Sequence, residues 1–577
     1  MPASADGQIA DAPVAWDCEV DLLIAGAGPA GMTAALVASI EGLSVMLCEK
    51  SSQVGGTAAT SAGTLWIPGN RQGGGAADEA AGDYLDALVG NRAGGDIRKA
   101  YLERGPRVID YMVESGEIAF LPCGVHPDYR SELPGAAVEG RAIVPAPFDG
   151  RLLGRDFARV RPPIGEFMVF GGMMVGKQDI PNLLNRFRSL DNFSYSAKLF
   201  ARYLRDRLRH ARGTRLVMGN ALVAQLFYRL RRRAVDIRFD APLVDLITGK
   251  GVVEGAVLSV EGRHMRVRAR RGVILATGGI AYNQALREAT MPTPSPFSMA
   301  CETDTGDGIE AGMRVGAALG GKDHITSAFW TPVSVTPAAQ GRKGLFPHLA
   351  MDRAKPGLIA VNSSGRRFVD EGASYHDFVL AMYESHVTVS TIPAFLVCDA
   401  TFIRKYGLGL IYPGTTSLKP WIKDGYITVG RTIVELAGRI GVDEAGLIDS
   451  VARNNGYAST GKDLDFAKGE TNLSRFNGDP AHKPNPGLGP ISEPPFVAMK
   501  VWPAEIAFSA GLVTDANARV LNAEGRAIDG LYACGNDMAS VMSGSYPGPG
   551  TTLGPAVVFG YSAVMHALSK AGTTESI

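Results

Sequence analysis

The chain has 577 residues, 46% of them apolar and 20% charged, with Lys+Arg and Asp+Glu equal at 58 each. These totals describe a folded chain of two or three domains and exclude a disordered one, and the balanced charge excludes a global preference for nucleic acid. Glycine, at 71 residues, is well above the usual ~7% and predicts many tight turns around a ligand.

Residues 1–16 have neither the basic nor the apolar region of a signal peptide. No uninterrupted apolar run reaches the ~18 residues of a spanning helix. The six cysteines, Cys18, Cys48, Cys123, Cys301, Cys398 and Cys534, show no C-x-x-C pair and no His at ligand spacing. They read as reduced core thiols of a cytoplasmic protein without a metal site.

Residues 18–25, CEVDLLIA, form a short buried strand by length and flanks. Gly26-Ala27-Gly28-Pro29-Ala30-Gly31 follows, then a helical pattern over 32–41, a second strand over 43–48 and the acid Glu49, eighteen residues after Gly31. In this arrangement Gly26 permits the tight turn, Gly28 admits a pyrophosphate to the backbone and Gly31 lets the helix pack on the strand. The helix N-terminus would hold the pyrophosphate, with Pro29 and Ala30 in its first turn, and Glu49 would take the ribose hydroxyls. Lys50, Gly55-Gly56-Thr57 and Thr60-Ser61-Ala62-Gly63 continue as a second glycine-rich stretch. Backbone able to reach beyond an AMP half favours FAD over NAD as the dinucleotide.

Residues 80–116 read as helices, and 122–150 as a Pro- and Gly-rich stretch that holds Pro127-Asp128-Tyr129. Residues 191–230 are helical and rich in arginine, a solvated face or a surface for an anionic membrane delivering an apolar substrate. Residues 235–243 and 252–267 read as a hairpin of two strands, with Leu243 counted among the cofactor contacts. Residues 272–279 close the sheet against the first glycine turn. Their end, Ala276-Thr277-Gly278-Gly279, is a common second nucleotide contact in flavoproteins with two dinucleotide-binding folds.

A crossing with Pro292, Pro294 and Pro296 marks a domain boundary. The FAD-binding domain then divides into a first part, 1–286, and a second part, 505–577, around an inserted substrate or catalytic domain, 287–504. Within the insertion, residues 357–369 read as a hairpin with a glycine turn, and 472–495 as a long loop. Residues 530–561 bring a strand, Gly535-Asn536, the sequence Tyr546-Pro547-Gly548-Pro549-Gly550, then Thr551-Thr552-Leu553 and an apolar helix. A close-approach loop, a phenol and a helix N-terminus together suit a ligand that gains negative charge. With FAD as the ligand, Asn536 belongs at the ribityl chain and the Thr551, Thr552 and Leu553 amides near the ring.

Taken together, these motifs resemble the flavoproteins of the fumarate reductase and 3-ketosteroid dehydrogenase superfamily, over nearly the whole chain. Three segments resemble 3-ketosteroid Δ1-dehydrogenases: Pro127-Asp128-Tyr129 with Gly140-Arg141, Arg367-Phe368-Val369-Asp370-Glu371 with Tyr375, and Gly535-Asn536 with Tyr546–Gly550. The resemblance implies an α/β fold, a Rossmann-like FAD domain interrupted by an α+β domain. It implies an oxidoreductase that introduces a 1,2 double bond into a 3-ketosteroid. Tyr546 and the Gly550 N–H would hold the ketone oxygen, Tyr375 would take the C2 proton, Tyr129 would assist, and the hydride would go to flavin N5. The partners implied are an apolar cyclic ketone and a separate electron acceptor.

Two departures bear on the substrate. Phe508 is bulky where the steroid enzymes carry small residues, which implies a change of pocket shape or flavin contact. Phe329-Trp330 stand where the fumarate-reductase branch carries a His-Pro, which argues for a flat apolar substrate rather than a dicarboxylate. The alternatives are desaturation at another position or on a non-steroid cyclic ketone, a fumarate-reductase-like enoate reductase, and a non-catalytic FAD module.

Overall fold

The computed structural model of the protein describes residues 15–570 apart from 75–77, 93, 166–167, 177, 292–294, 322–323, 338–343 and 351. Residues 1–14, and Pro292 and Pro294 of the proposed crossing, lie outside the described residues. The fold is mixed α/β and built on two large sheets. The first runs, in spatial order, through Asp236–Arg238, Val45–Cys48, Cys18–Ala25, Arg263–Leu275, Val252–Val260 and Leu243–Gly249, with Ala527–Ala533 also paired to Arg263–Leu275. Its inner pairings are parallel.

Parallel strands are covered on both faces and read as apolar runs; Leu22 to Leu23 and Ile24 are fully buried here. The helix Pro29–Ile40 starts with Pro in its first turn and Gly28 as N-cap, a position where a missing N–H costs nothing. Its small residues let the C-terminal helix Leu553–Ser569 cross closely. A Cβ added at Gly560 would stand 2.7 Å from the Ala30 carbonyl oxygen. Gly26 has φ +105°, and a Cβ there would meet the Ala276 carbonyl oxygen at 2.1 Å. The first turn and the strand end at Ala276 are therefore pressed together, which sets the mouth of the nucleotide site.

The second sheet runs Leu345–Pro347, Ala328–Val335, Phe496–Phe508, Ala394–Cys398, Leu358–Val361. Several sequence expectations differ from it in detail. Residues 252–267 are not one strand: Glu261 (φ 51°) and Gly262 (φ 75°) turn the chain between Val252–Val260 and Arg263–Leu275, as a two-residue hairpin requires. The hairpin expected over 357–369 is reduced to a single bridge between Val361 and Arg367, because Leu358–Val361 pairs instead with Ala394–Cys398. The expected loop 472–495 contains a short helix, Asn472–Asn477, capped by Thr471.

Arg367 leaves the sheet because its guanidinium is claimed by a buried ion network. It forks onto Glu371 (2.9 Å) and Asp463 (2.8 and 3.0 Å), while Lys468 Nζ lies 3.1 Å from Glu371 and donates to the Leu358 carbonyl at 2.8 Å. Burial alone would raise the Glu371 carboxyl, but Arg367 and Lys468 outweigh it and hold the group down at about 2. A carboxylate depressed on folding adds stability above its unfolded value of 4.5, and the contribution fades as pH falls toward about 2. Glu371→Gln leaves two buried cations short of a counter-charge and is expected to cost about 3–5 kcal/mol at neutral pH. Urea unfolding measures it, with the deficit shrinking below pH 4.5.

Candidate active site

One cavity runs from the first glycine turn to the loop before the C-terminal helix. Its nucleotide end is walled by Gly26, Gly28, Pro29, Ala30, Glu49 and Lys50, and its middle by Gly55, Gly56, Thr57 and Thr60 to Gly63. Leu243, Ala276, Thr277 and Gly278 close the far wall, and Gly535, Asn536, Thr552 and Leu553 the end near the C-terminal helix. Gly31, Gly279 and Thr551 do not line it. A Cβ at Gly31 would meet the Gly26 carbonyl oxygen at 2.0 Å, Gly279 N–H donates to Asp537, and buried Thr551 donates to the Gly548 carbonyl.

The wall fits a dinucleotide. A Cβ at Gly28 would have no protein atom within 4 Å, so the backbone itself forms the surface that a pyrophosphate would meet. Both oxygens of Glu49 are pinned by backbone, Oε2 accepting from Ala27 N–H and Oε1 from Ser51 N–H, each at 2.9 Å. That fixes the carboxylate as an acceptor for ribose hydroxyls. Lys50 donates to Thr305 and to Asp307 (2.7 Å).

Two buried acids here escaped sequence reasoning. Asp304 accepts from Thr57 at 2.7 Å, and burial, reinforced by Asp537 and Glu49, pushes its carboxyl up to about 7. Asp537 accepts from the Thr277 and Gly279 N–H groups and is pushed up to about 6 by burial. The Thr-Asp-Thr-Gly-Asp-Gly segment, 303–308, was a signal for the first, since such turns present side-chain oxygens to backbone.

At the other end three phenols meet. The Tyr129 hydroxyl donates to Tyr375 (3.1 Å), which donates to Tyr546 (2.8 Å). Their rings pack at 5.2–5.4 Å between centroids. Each arrives from a different element. Tyr129 N–H bonds the Pro547 carbonyl at 2.9 Å. Behind it, Asp128 is held by Trp66 Nε1 (2.8 Å) and by Arg141. Tyr375 opens the helix Tyr375–His386, whose Ser374 cap accepts from Asp377 N–H. His376 accepts from Trp330 N–H (3.2 Å), so its Nε2 donates to the Gly544 carbonyl (3.1 Å) and straps this helix to the loop carrying Tyr546.

Burial pushes all three phenols well above their usual value. For Tyr375, the Tyr129 hydroxyl adds to the rise, while the Tyr546 hydrogen bond and the positive charge of Arg353 oppose it. Gly550 closes the group at φ +98°. A Cβ there would meet the Thr64 carbonyl oxygen at 2.3 Å, so only glycine fits. Among the described residues no protein acceptor is bonded to its N–H.

Neither departure acts through contact with the main cavity. Phe508 is fully buried opposite Ala328 in the sheet, behind the 535–552 loop, and does not reach the main cavity; Ile506 and Ala507 do. Phe329 and Trp330 are equally buried. Phe329 supports the Tyr546 ring edge-on at 5.3 Å and Trp330 packs on Tyr383, so neither selects a substrate by contact.

A nucleotide cradle that ends at a chain of buried phenols defines a flavin-dependent oxidoreductase. The model of an FAD binding domain matches residues 21–553. The chain is 36% identical to 3-oxosteroid 1-dehydrogenase of Mycobacterium tuberculosis, over 96% of this chain and 99% of that protein. It is 38% identical to 4-oxocyclohex-2-ene-1-carboxylate 5-dehydrogenase of Sinomonas cyclohexanicum, over 94% and 92%. The solved 3-ketosteroid delta1-dehydrogenase from Sterolibacterium denitrificans, in complex with 1,4-androstadiene-3,17-dione, superposes with a TM-score of 0.88 at 36% identity, covering 96% of this chain and all of that one. The chain belongs to the 3-ketosteroid dehydrogenase family of FAD-dependent flavoproteins, and its cofactor is FAD.

Proposed function

We propose that the protein is an FAD-dependent dehydrogenase that introduces the 1,2 double bond of a 3-ketosteroid. The observation that carries this reading is the Tyr129–Tyr375–Tyr546 hydroxyl chain facing Gly550 at the end of an FAD cradle. A C–H beside a ketone is acidic enough to be removed only when the developing enolate oxygen is stabilised, and two converging donors supply that. Tyr546 Oη and the Gly550 N–H are those donors. Once Tyr546 turns to the ketone, Tyr375 would first lose its own proton to solvent and then, as the phenolate, take the C2 proton, with Tyr129 donating to the Tyr375 oxygen while it is charged. Bound FAD supplies the hydride acceptor. The N-terminus of Leu553–Ser569, with Thr552 on the cavity wall, favours negative charge near it by ~0.3–1 kcal/mol.

The lining chemistry favours a steroid over a carboxylated cyclohexenone. Around the phenols the wall is mostly apolar, with Met299, Pro347, Leu349, Ala350, Leu473 and Ile506, joined by His126, Ser374 and Asn477. Among the described lining residues the one Lys or Arg is Lys50, at the nucleotide end and paired with Asp307. A carboxylate at the substrate end would be desolvated with no Lys or Arg beside it, His126 being the one described lining side chain there able to carry positive charge. A fumarate-type dicarboxylate meets the same objection twice. Sheet membership supports a division into 1–286, an inserted part and a returning part, but Phe496–Phe508 belongs whole to the second sheet, which moves the second boundary from 504/505 to after Phe508.

Anaerobic bleaching of the holoenzyme tests this. A 4-ene-3-ketosteroid is expected to bleach the flavin and yield the 1,4-diene. 4-Oxocyclohex-2-ene-1-carboxylate should be weaker by at least ~10-fold in kcat/KM, and succinate should be inert. Bleaching by either carboxylate in preference to the steroid overturns the choice, and a 5α-3-ketosteroid desaturated at C4 rather than C1 overturns the regiochemistry.

A further inference from the structure

Besides the phenols, the substrate end of the cavity carries three polar side chains, His126, Ser374 and Asn477. They are not equally available to a ligand. The Ser374 hydroxyl is committed to its own helix: it donates to Asp377 Oδ2 at 2.7 Å and accepts from the Asp377 N–H at 3.0 Å. Asn477 differs. Its Nδ2 donates to the Gly372 carbonyl at 3.0 Å, which fixes the orientation of the amide, because a carbonyl can face only its NH₂ side. No described residue donates to its Oδ1, and that oxygen is not among the buried side-chain atoms sealed without a partner. In a residue only 7% exposed, the open face of that oxygen is the cavity the residue lines.

The position of this oxygen is set by chain on every side. Asn477 ends the short helix Asn472–Asn477, whose start is capped by Thr471. At the other end Lys355 Nζ donates to the Asn477 carbonyl (2.8 Å) and the Gly478 carbonyl (2.7 Å). The Leu473 N–H donates to Ser131 Oγ at 3.0 Å, and Phe476 packs on the His126 ring at 5.2 Å. These contacts tie the helix to the loop carrying Tyr129, whose ring lies 6.1 Å from that of His126. An acceptor already in place before a ligand arrives loses little freedom when it is used. Asn477 has no bond to the Tyr129–Tyr375–Tyr546 hydroxyl chain, so its influence falls on binding rather than on proton transfer.

We propose that Asn477 is a specificity-determining residue whose Oδ1 accepts a hydrogen bond from an alcohol on the substrate, outside the ring that is desaturated. The inference rests on the 3-ketosteroid reading above and narrows its substrate class to a hydroxylated 3-ketosteroid. The sign of the preference follows from the orientation of the amide. With Nδ2 tied to Gly372, the open atom accepts and cannot donate. A hydroxyl satisfies it. A ketone at the same carbon sets two acceptors face to face, and a carboxylate adds a charge that the oxygen repels. A substrate with no oxygen there shuts water away from Oδ1 and puts nothing in its place, the penalty of a buried acceptor left unmade.

Steady-state kinetics of the holoenzyme on matched 4-ene-3-ketosteroids test it. Each set carries a hydroxyl, a ketone or no oxygen at one carbon, C11 in the first set and C17 in the second, with the alcohol in both epimers. In at least one set an alcohol is expected to exceed both the ketone and the deoxy compound by about 10-fold in kcat/KM, mostly through KM. Asn477→Leu should bring that alcohol down to the level of the deoxy compound, and His126→Phe should leave the preference in place. A preference that survives Asn477→Leu, or one that His126→Phe removes instead, overturns the proposal. So does equal kcat/KM, or a preferred ketone, across both sets in the wild type, a result that needs no variant to fold. Flavin bleaching by those same steroids would then still uphold the dehydrogenase reading. If none of the steroids bleaches the flavin, that reading falls and the role of Asn477 falls with it.

Discussion

Tyr546→Phe is expected to retain FAD and lose turnover by about 10²–10³-fold, the effect of deleting one donor from an oxyanion-binding pair. The ring is over-determined: it packs against Tyr129 at 5.2 Å, Phe329 at 5.3 Å and His376 at 5.5 Å, so phenylalanine keeps its place. What is lost is one hydroxyl. In the free enzyme that hydroxyl is the acceptor for Tyr375 at 2.8 Å, and in the proposed reaction it is the donor to the ketone. The loss should therefore fall on kcat, with a smaller change in KM, because the bond strengthens as the enolate forms. Flavin absorbance per protein should be unchanged. Near-normal turnover would remove Tyr546 from the reaction. Loss of flavin would show instead that the loop from Gly535 to Gly550 needs the hydroxyl for its shape.

Much of this site was legible because its parts are local. The turn from Gly26 to Gly31 and the acid at Glu49 are dictated by what a pyrophosphate and a ribose need within one strand–helix–strand unit. Tyr546 and Gly550 sit four residues apart on one loop. What remained hidden depends on chain distant in sequence. The 357–369 hairpin fails because Ala394–Cys398 pairs with the strand and the Glu371 network takes Arg367. The contacts with substrate expected from Phe508 and Phe329-Trp330 are absent because the paired strands are covered on both faces, so all three rings are buried in the core. Asp304 and Asp537 matter through contacts with Thr57 and Thr277, each more than 240 residues away. Arg353, which has no motif around it, was invisible for the same reason.

Arg353 bears on the second large effect, that of Tyr375→Phe. A phenol with a reference pKa near 10 is a weak base at neutral pH, and burial makes it weaker still. The compensation lies in a fully buried guanidinium. Arg353 donates to the carbonyls of His348 (2.8 Å), Glu371 (2.5 Å), Leu349 (2.6 Å) and Ala373 (2.7 Å), and none of these described partners is a carboxylate. Burial lowers its pKa, but only to about 10, so it stays charged at neutral pH. Tied to Ala373, two residues before Tyr375, it sets a fixed positive charge beside the helix start and favours the phenolate. The sign of the pH dependence follows. The folded phenol is held protonated, the basic form is the minority at neutral pH, and kcat should climb with pH through the alkaline range. Tyr375→Phe should bind FAD normally and lower kcat by about 10²–10⁴-fold, the usual contribution of a positioned base. The alkaline climb should vanish from its residual rate. A residual rate with the wild-type climb would place the base elsewhere, and Tyr129, 3.1 Å away along the same hydroxyl chain, would be the group to replace next.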